Sequence, residues 1–354
     1  MSTTILRSLD LIKSRVGIND LASVLVAFSI GFFAKGSASS KGSTVKTVLE
    51  QAAEQYGYCK ELPAERPAHA DIDCPYEYLL RLYGKHHFRP FVTEFDPTLE
   101  AKNPAKFTLI LDIMDAVHFA LILVDDISDN SNQRKNQPTA HLIYGASETA
   151  NRAYLVLTRV INRALREQPV LGVELLKALE DILQGQDMSL IWRRDGLDAF
   201  HYQGDESIQA YKKMATLKTG TLFLLLGRLV KDGGQDLDDL LTRFGWYAQL
   251  QNDCKNIYSE EYVSSKGAVA EDLRNGELSF PIVVALNEKS CCSTMQRALR
   301  SHADAEIEAA MTALQSKPVK QACLKALKEA GVGMDGLVSL WGRREQMQAA
   351  APRA

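Results

Sequence analysis

Phe107-Thr-Leu-Ile-Leu-Asp-Ile-Met-Asp-Ala-Val-His-Phe-Ala-Leu-Ile-Leu-Val124, followed at once by Asp125-Asp-Ile-Ser-Asp129, is the stretch on which the fold reading turns. The first part is apolar nearly all round, with Asp112, Asp115 and His118 as its few polar interior residues. A run of that kind is a helix buried in a protein core. Positions four apart share a helix face, so Asp125 and Asp129 point the same way, and His118 lies two turns back on that stripe. Asp125, Asp126 and Asp129 packed together repel one another, an arrangement usually tolerated because a cation sits among them. Mg²⁺ takes oxygen ligands and typically bridges a few carboxylates to phosphate oxygens. A solvated acidic helix end is the plain alternative. The apolar run leading into the acids favours a cluster that opens onto a core cavity.

Working outward, Arg134-Lys135 follows within a turn-rich stretch ending Gln137-Pro138. Cations beside an acidic metal site suit a polyanionic ligand. Gln249, Asn252, Asp253 and Asn256 follow the spacing i, i+3, i+4, i+7 and line one helix face. Their amide oxygens ligate Mg²⁺ more weakly than carboxylates, because the Coulomb attraction is missing. Lys218-Thr219-Gly220 and Lys266-Gly267 supply phosphate donors: lysine as a point charge, glycine by letting backbone N–H groups approach. Gln186, Ser189 and Arg193 form another helical stripe, and Gly84-Lys-His-His-Phe-Arg-Pro90 is basic and turn-like. Each of these, taken alone, also reads as ordinary surface.

The rest of the chain fits one all-α bundle. Helices are expected near 145–166, 169–193, 207–231, 236–261 and 277–288, with a C-terminal group after about 293, and Pro138, Pro281 and Pro318 punctuate them. No alternating run with hairpin turns stands out. The expectation is about ten helices around a central cavity. Residues 1–45 read as a separate leader ending in a small, polar, flexible stretch, with residues 46–354 as the main domain. Leu21 to Ala34 is uncharged but shorter than the about 20 residues a membrane span needs. Membrane association through residues 18–35 therefore stays open, with Lys13 and Arg15 preceding. The net charge of −3 on 354 residues argues against a nucleic-acid partner. Six cysteines without a CxxC pair point to a reducing, intracellular, cytoplasmic setting.

Together these residues resemble the trans-isoprenyl diphosphate synthase family, especially its fungal geranylgeranyl diphosphate synthase branch, over about Gly84 to Ala285. Asp125 through Ser131 resembles the first aspartate-rich motif, and Arg134 through Pro138 its continuation. Gly185-Gln186 with Trp192-Arg193, Lys218 through Gly220, Gln249 through Asn256, Lys266-Gly267, Glu271 through Leu273 and Ser279 through Pro281 match later motifs in order. The resemblance implies that Asp125, Asp126 and Asp129 hold Mg²⁺ on an allylic diphosphate, with Asn252 and Asp253 at the second metal site. It implies that Arg134, Lys218 and Lys266 stabilise the departing diphosphate, with Thr219, Gln249 and Asn256 nearby. Lys85, Arg89, Lys135 and His118 match positions that grip the acceptor's phosphate. It also implies a homodimer.

The sequence departs from that pattern at Asn252, where Asp is usual, at Ser189, where Asp is usual, and at Lys135-Asn136, which replaces Arg-Gly. The Gly-Lys…Arg motif carries one extra residue. These changes cluster at the second metal site and the acceptor pocket. They suggest a changed acceptor, and Gln251 through Asn256 with Ala270 through Asn275 looks closest to the indole-diterpene subgroup. That resemblance implies transfer of a C20 group from geranylgeranyl diphosphate to C3 of indole-3-glycerol phosphate. The alternatives left open are chain elongation with isopentenyl diphosphate, a class I terpene cyclase, and a non-catalytic partner subunit. Ala120 and Leu121, about one turn before Asp125, are not aromatic and would let a long prenyl tail pass.

Overall fold

The computed structural model describes residues 74–259 and 271–349, all within one compact unit that spans 63–354. The leader over 1–45, the 18–35 stretch, Cys59 and the expected donors Lys266-Gly267 lie outside the described residues.

The decisive stretch is one helix, α4 (Pro104–Ser128), preceded by α1 (Pro75–Tyr83), α2 (Arg89–Phe95) and α3 (Leu99–Lys102). Its start is set locally: the Asn103 side chain accepts from Lys106 N at 3.0 Å, and Pro104 occupies the first helical position. Ile110, Ile113, Met114, Val117 and Phe119 are fully buried, as the all-round apolar pattern requires. The helix is long and apolar enough to cross a membrane, but most of its apolar window is covered by the rest of the chain.

After α4 the chain makes a short hairpin, β1 (Gln133–Arg134) with β2 (Gln137–Pro138). Lys135 and Asn136 both take positive φ, which a two-residue primed turn demands. No hairpin was expected from the sequence; two residues a side is too short to leave an alternating pattern.

Next come α5 (Ala140–Tyr144), α6 (Ala146–Glu167) and α7 (Pro169–Asp195). Helix α6 packs along α4, and α7 packs on α6. The helix expected over 207–231 is continuous in course but wider in the middle. Helix α8 (Gly204–Ala215) runs through a π-helical turn at Thr216–Gly220 into α9 (Thr221–Val230). Helix α10 (Asp238–Tyr258) packs on that turn, followed by α11 (Glu271–Arg274), α12 (Phe280–Asn287), α13 (Cys292–Ser301), α14 (Asp304–Leu314), α15 (Lys317–Gly331) and α16 (Asp335–Ala349). The described residues hold sixteen α-helical segments rather than about ten, because four connectors are themselves short helical turns.

Two glycines set how closely the site-bearing helices approach. A Cβ on Gly185 of α7 would lie 2.5 Å from the backbone nitrogen of Lys218, and one on Gly245 of α10 would lie 2.4 Å from Gly220 Cα. The π turn is thus clamped between α7 and α10, backbone against backbone.

Candidate active site

Four segments meet at the C-terminal end of α4. Asp125 Oδ1 accepts from Lys218 Nζ at 3.3 Å and from Gln186 Nε2 at 3.5 Å. Asp129 Oδ1 accepts from Arg193 Nη1 at 2.7 Å. Arg193 also donates to the Ser128 carbonyl, and Asn275 Nδ2 donates to the Asp129 carbonyl at 3.0 Å. Two acids of α4, the α7 stripe and the π-turn lysine therefore form one mouth. Unlike a regular turn, the wide π turn displaces its side chains, a distortion often found at functional sites. Here it carries Lys218 to Asp125.

The electrostatics are those of a site short of positive charge. Burial, then the neighbouring charges of Asp125 and Glu277, push Asp129 up to about 7 despite Arg193 and Lys218. Burial opposes the charged form of Lys218, but Asp125, Glu277 and Asp129 outweigh it and hold the ammonium above its ordinary value.

Asp126, one residue on and so on a different face, is 1% exposed and accepts from both Nε and Nη2 of Arg134, Nε lying 3.0 Å from Oδ1. The structure thus does not bring Asp126 to the mouth with Asp125 and Asp129, and Arg134 turns inward to neutralise it.

Asp253 is also enclosed, at 3% exposure. Its Oδ2 accepts from Phe280 N at 2.9 Å and from the Tyr211 hydroxyl, and its Oδ1 accepts from Gln249 Nε2 at 2.7 Å. Burial pushes it up to about 6 against those three bonds. Thr219 donates to Gln249 Oε1, so the second cluster is knitted to the π turn. Asn256 is buried and donates to Asp272 at 2.7 Å, while Asn252 lies on the exposed side of α10. The i, i+3, i+4, i+7 stripe is therefore largely a structural network around Asp253 and the start of α12.

The acceptor set is dispersed. Arg89 is half-exposed and grips both Glu100 oxygens at 2.6 and 2.7 Å on the outer surface. The extra residue in the Gly-Lys…Arg motif explains this: Phe88 is fully buried, and sinking it turns Arg89 outward. Lys85 is 3.9 Å from Asp112 and lines a cavity of about 280 Å³ with Tyr76, Asp115, Arg159 and Arg163, further down α4 from Asp125. His118 packs among His87, Phe88, Phe119 and Tyr83. Lys135 sits 4.0 Å over the Tyr83 ring, so Lys135 and His118 flank one tyrosine.

Sequence reasoning missed Glu277. Its Oε1 lies 3.7 Å from Lys218 Nζ and accepts from Ser189 Oγ at 3.5 Å. Only its place two residues before the Ser279-Phe-Pro281 motif could have pointed to it.

The residues fit a divalent metal shared with phosphate. Among the described residues no three His, Cys, Asp or Glu side chains are grouped to hold an ion alone. Two carboxylates facing two cations instead match the way Mg²⁺ is bound through one or two acids plus phosphate oxygens.

The polyprenyl synthetase family model matches residues 69–315. The chain is 67% identical to prenyltransferase terC of Tolypocladium album, over 96% of this chain and 99% of that protein. It is 57% identical to prenyltransferase ltmC of Epichloe festucae var. lolii, over 93% and 95%, and 53% identical to prenyltransferase idtC of Claviceps paspali, over 93% and 95%. A solved polyprenyl synthase from Caulobacter crescentus CB15, complexed with calcium and isoprenyl diphosphate, shares the fold at TM-score 0.61 and 20% identity, covering 90% of this chain and 100% of its own.

Proposed function

Since this chain belongs to the polyprenyl synthetase family, we propose that it is a prenyltransferase whose donor is geranylgeranyl diphosphate and whose acceptor is indole-3-glycerol phosphate, alkylated at indole C3. The observation that carries the reading is the mouth itself, where Asp125 and Asp129 end a buried helix and face Lys218 and Arg193. Prenyl transfer is supported by the similar prenyltransferases of three fungi, and the acceptor assignment by the indole-diterpene resemblance of Gln251 through Asn256.

Asp125 and Asp129 would hold Mg²⁺, which when bound neutralises charge on the leaving diphosphate. Lys218 and Arg193 are the cations placed to hydrogen-bond the diphosphate oxygens as the C–O bond of the donor breaks. The ammonium and guanidinium are held ready by the acids and need little reorganisation. The apolar flank of α4 below Asp125, with Leu121 half-buried on the same face, receives the prenyl tail. Indole C3 then bonds to the allylic carbon as the diphosphate departs. Because C3 of the acceptor carries the glycerol phosphate chain and no hydrogen, the ring regains aromaticity by cleavage of the C3–C1′ bond, the side chain leaving as glyceraldehyde 3-phosphate and its C1′ hydroxyl giving up the proton. No protein nucleophile takes part.

We further infer a homodimer. Tyr154 (60% exposed) and Leu165 (37%) of α6 with Val170, Val173, Leu176 and Leu183 (44–55%) of α7 leave an apolar face uncovered. The six cysteines without a CxxC pair and the modest net charge support an intracellular site of action.

The test is incubation of the purified chain with labelled geranylgeranyl diphosphate and either indole-3-glycerol phosphate or isopentenyl diphosphate, with and without Mg²⁺. Magnesium-dependent 3-geranylgeranylindole is expected. Product only from isopentenyl diphosphate would make the chain an elongating synthase, a cyclic hydrocarbon a terpene cyclase, and no product a partner subunit.

A further inference from the structure

We propose that Glu277 is a third acidic ligand of the metal–diphosphate site, on the side where the aspartate stripe of α10 was expected to act; this rests on the prenyltransferase reading above. Three observations point there. Asp253 has its oxygens taken by Phe280 N, Tyr211 and Gln249, at 3% exposure, and Asn252 carries no charge. Glu277 keeps a fifth of its side chain open to the mouth, and its field reaches both Asp129 and Asp253. The Lys218 ammonium lies between Asp125 at 3.3 Å and Glu277 at 3.7 Å, so one cation already bridges the two carboxylates in the position a divalent ion would share.

The local structure holds Glu277 there. Its backbone N–H donates to Asp272 O at 2.7 Å, and Asn275 ties the same segment to the end of α4 through the Asp129 carbonyl. Ser189 of α7, where the resemblance expects an acid, donates to Glu277 Oε1. The negative charge missing from α7 and from position 252 thus reappears on the facing segment. With a diphosphate bound, Lys218 would donate to its oxygens from where it stands, and Asp125 and Glu277 would be the acids left to hold the divalent ion.

The test uses the full chain, Mn²⁺ as a paramagnetic stand-in for Mg²⁺, and inorganic pyrophosphate in place of donor, read by electron paramagnetic resonance. Asp125→Asn marks the α4 end of the site, Glu277→Gln removes the charge while keeping size, and Asp253→Asn is the contrast. The proposal expects Glu277→Gln to weaken Mn²⁺ binding at least about tenfold, a loss that even outer-shell changes produce. It expects Asp253→Asn to lower Tm more than Mn²⁺ affinity. Wild-type affinity in Glu277→Gln, with binding lost in Asp125→Asn, overturns the Glu277 assignment alone. Binding unaffected by Asp125→Asn overturns the prenyltransferase site reading and Glu277 with it. An unchanged melting curve for Glu277→Gln separates ligand loss from misfolding, and a folding defect of the size of its binding loss counts against the proposal.

Discussion

Replacing Asp129 by asparagine should stabilise the empty protein at pH 8 while abolishing its chemistry. Asp129 is 14% exposed and is pushed from an ordinary 3.8 to about 7 by burial, Asp125 and Glu277. The native carboxyl therefore keeps its proton up to about pH 7, whereas the unfolded chain loses it near pH 4. Between those values the native state binds more protons, so its stability falls as pH rises, and above pH 7 the penalty stays constant. At about 1.4 kcal/mol per tenfold change in proton affinity, the penalty is about 4 kcal/mol at most. The Arg193 bond at 2.7 Å weakens in the variant, because a neutral amide oxygen replaces a carboxylate, which takes back about 1–2 kcal/mol. The net gain is about 2 kcal/mol at pH 8, or a Tm rise of about 3 °C in a domain of this size. At pH 4 the gain should vanish. Differential scanning fluorimetry from pH 4 to 8 reads this directly, and turnover should fall at least about 100-fold in the same preparation. A Tm difference that does not change with pH, or a variant less stable than wild type at pH 8, would refute the electrostatic account of the mouth.

Gly185→Ala should lower both stability and turnover, since its Cβ would meet the Lys218 backbone at 2.5 Å; melting and steady-state assays check it, and a variant matching wild type in both would show that the α7 clamp is not needed. Arg89→Ala should leave KM for either acceptor within about twofold, because its charge is spent on Glu100 at the outer surface in an exposed pair of small energetic weight. Leu121→Phe should impair a C20 donor and spare a C10 donor, measured by relative kcat/KM; equal losses on both would remove the tail from that face of α4. Ala120 is the poorer test, because it is 1% exposed in the cluster with Leu79 and Ala153, where enlargement costs about 1–3 kcal/mol in packing.

The helical bundle was legible because α4 announces itself: an apolar run too long for a strand, with a proline start and acids at its end, fixes one buried helix and the others follow by length and punctuation. Asp125 and Asp129 were legible for the same reason, since i, i+4 spacing is a geometric statement once the helix is known. Asp126 was not, because adjacency in sequence gives no warning that a residue one step on turns about 100° away and meets Arg134. Arg89 misled because a single buried phenylalanine re-aims whatever follows it, and burial of Phe88 is a tertiary fact. Asp253 looked like a ligand in a stripe of amides, yet Tyr211, 42 residues earlier, claims it. Glu277 lay beyond sequence reasoning because its partners, Ser189 and Lys218, come from two distant segments.

The wide turn at Thr216–Gly220 makes this stretch intolerant of changes in chain length. A π turn accommodates a surplus residue that a regular helix would not seat. Removing one residue there would let the segment relax to ordinary helix with its flanks in phase but without the widened backbone that carries Lys218 to Asp125, and adding one would rotate everything on one side by about 100°. Tyr211 before it is anchored on Asp253, and Leu225, Leu226 and Leu229 after it are sunk in the main core, so neither side is at liberty to turn. Substitutions can adjust the chemistry at this point; insertions and deletions cannot, because catalysis and core packing are both counted from the same irregular turn.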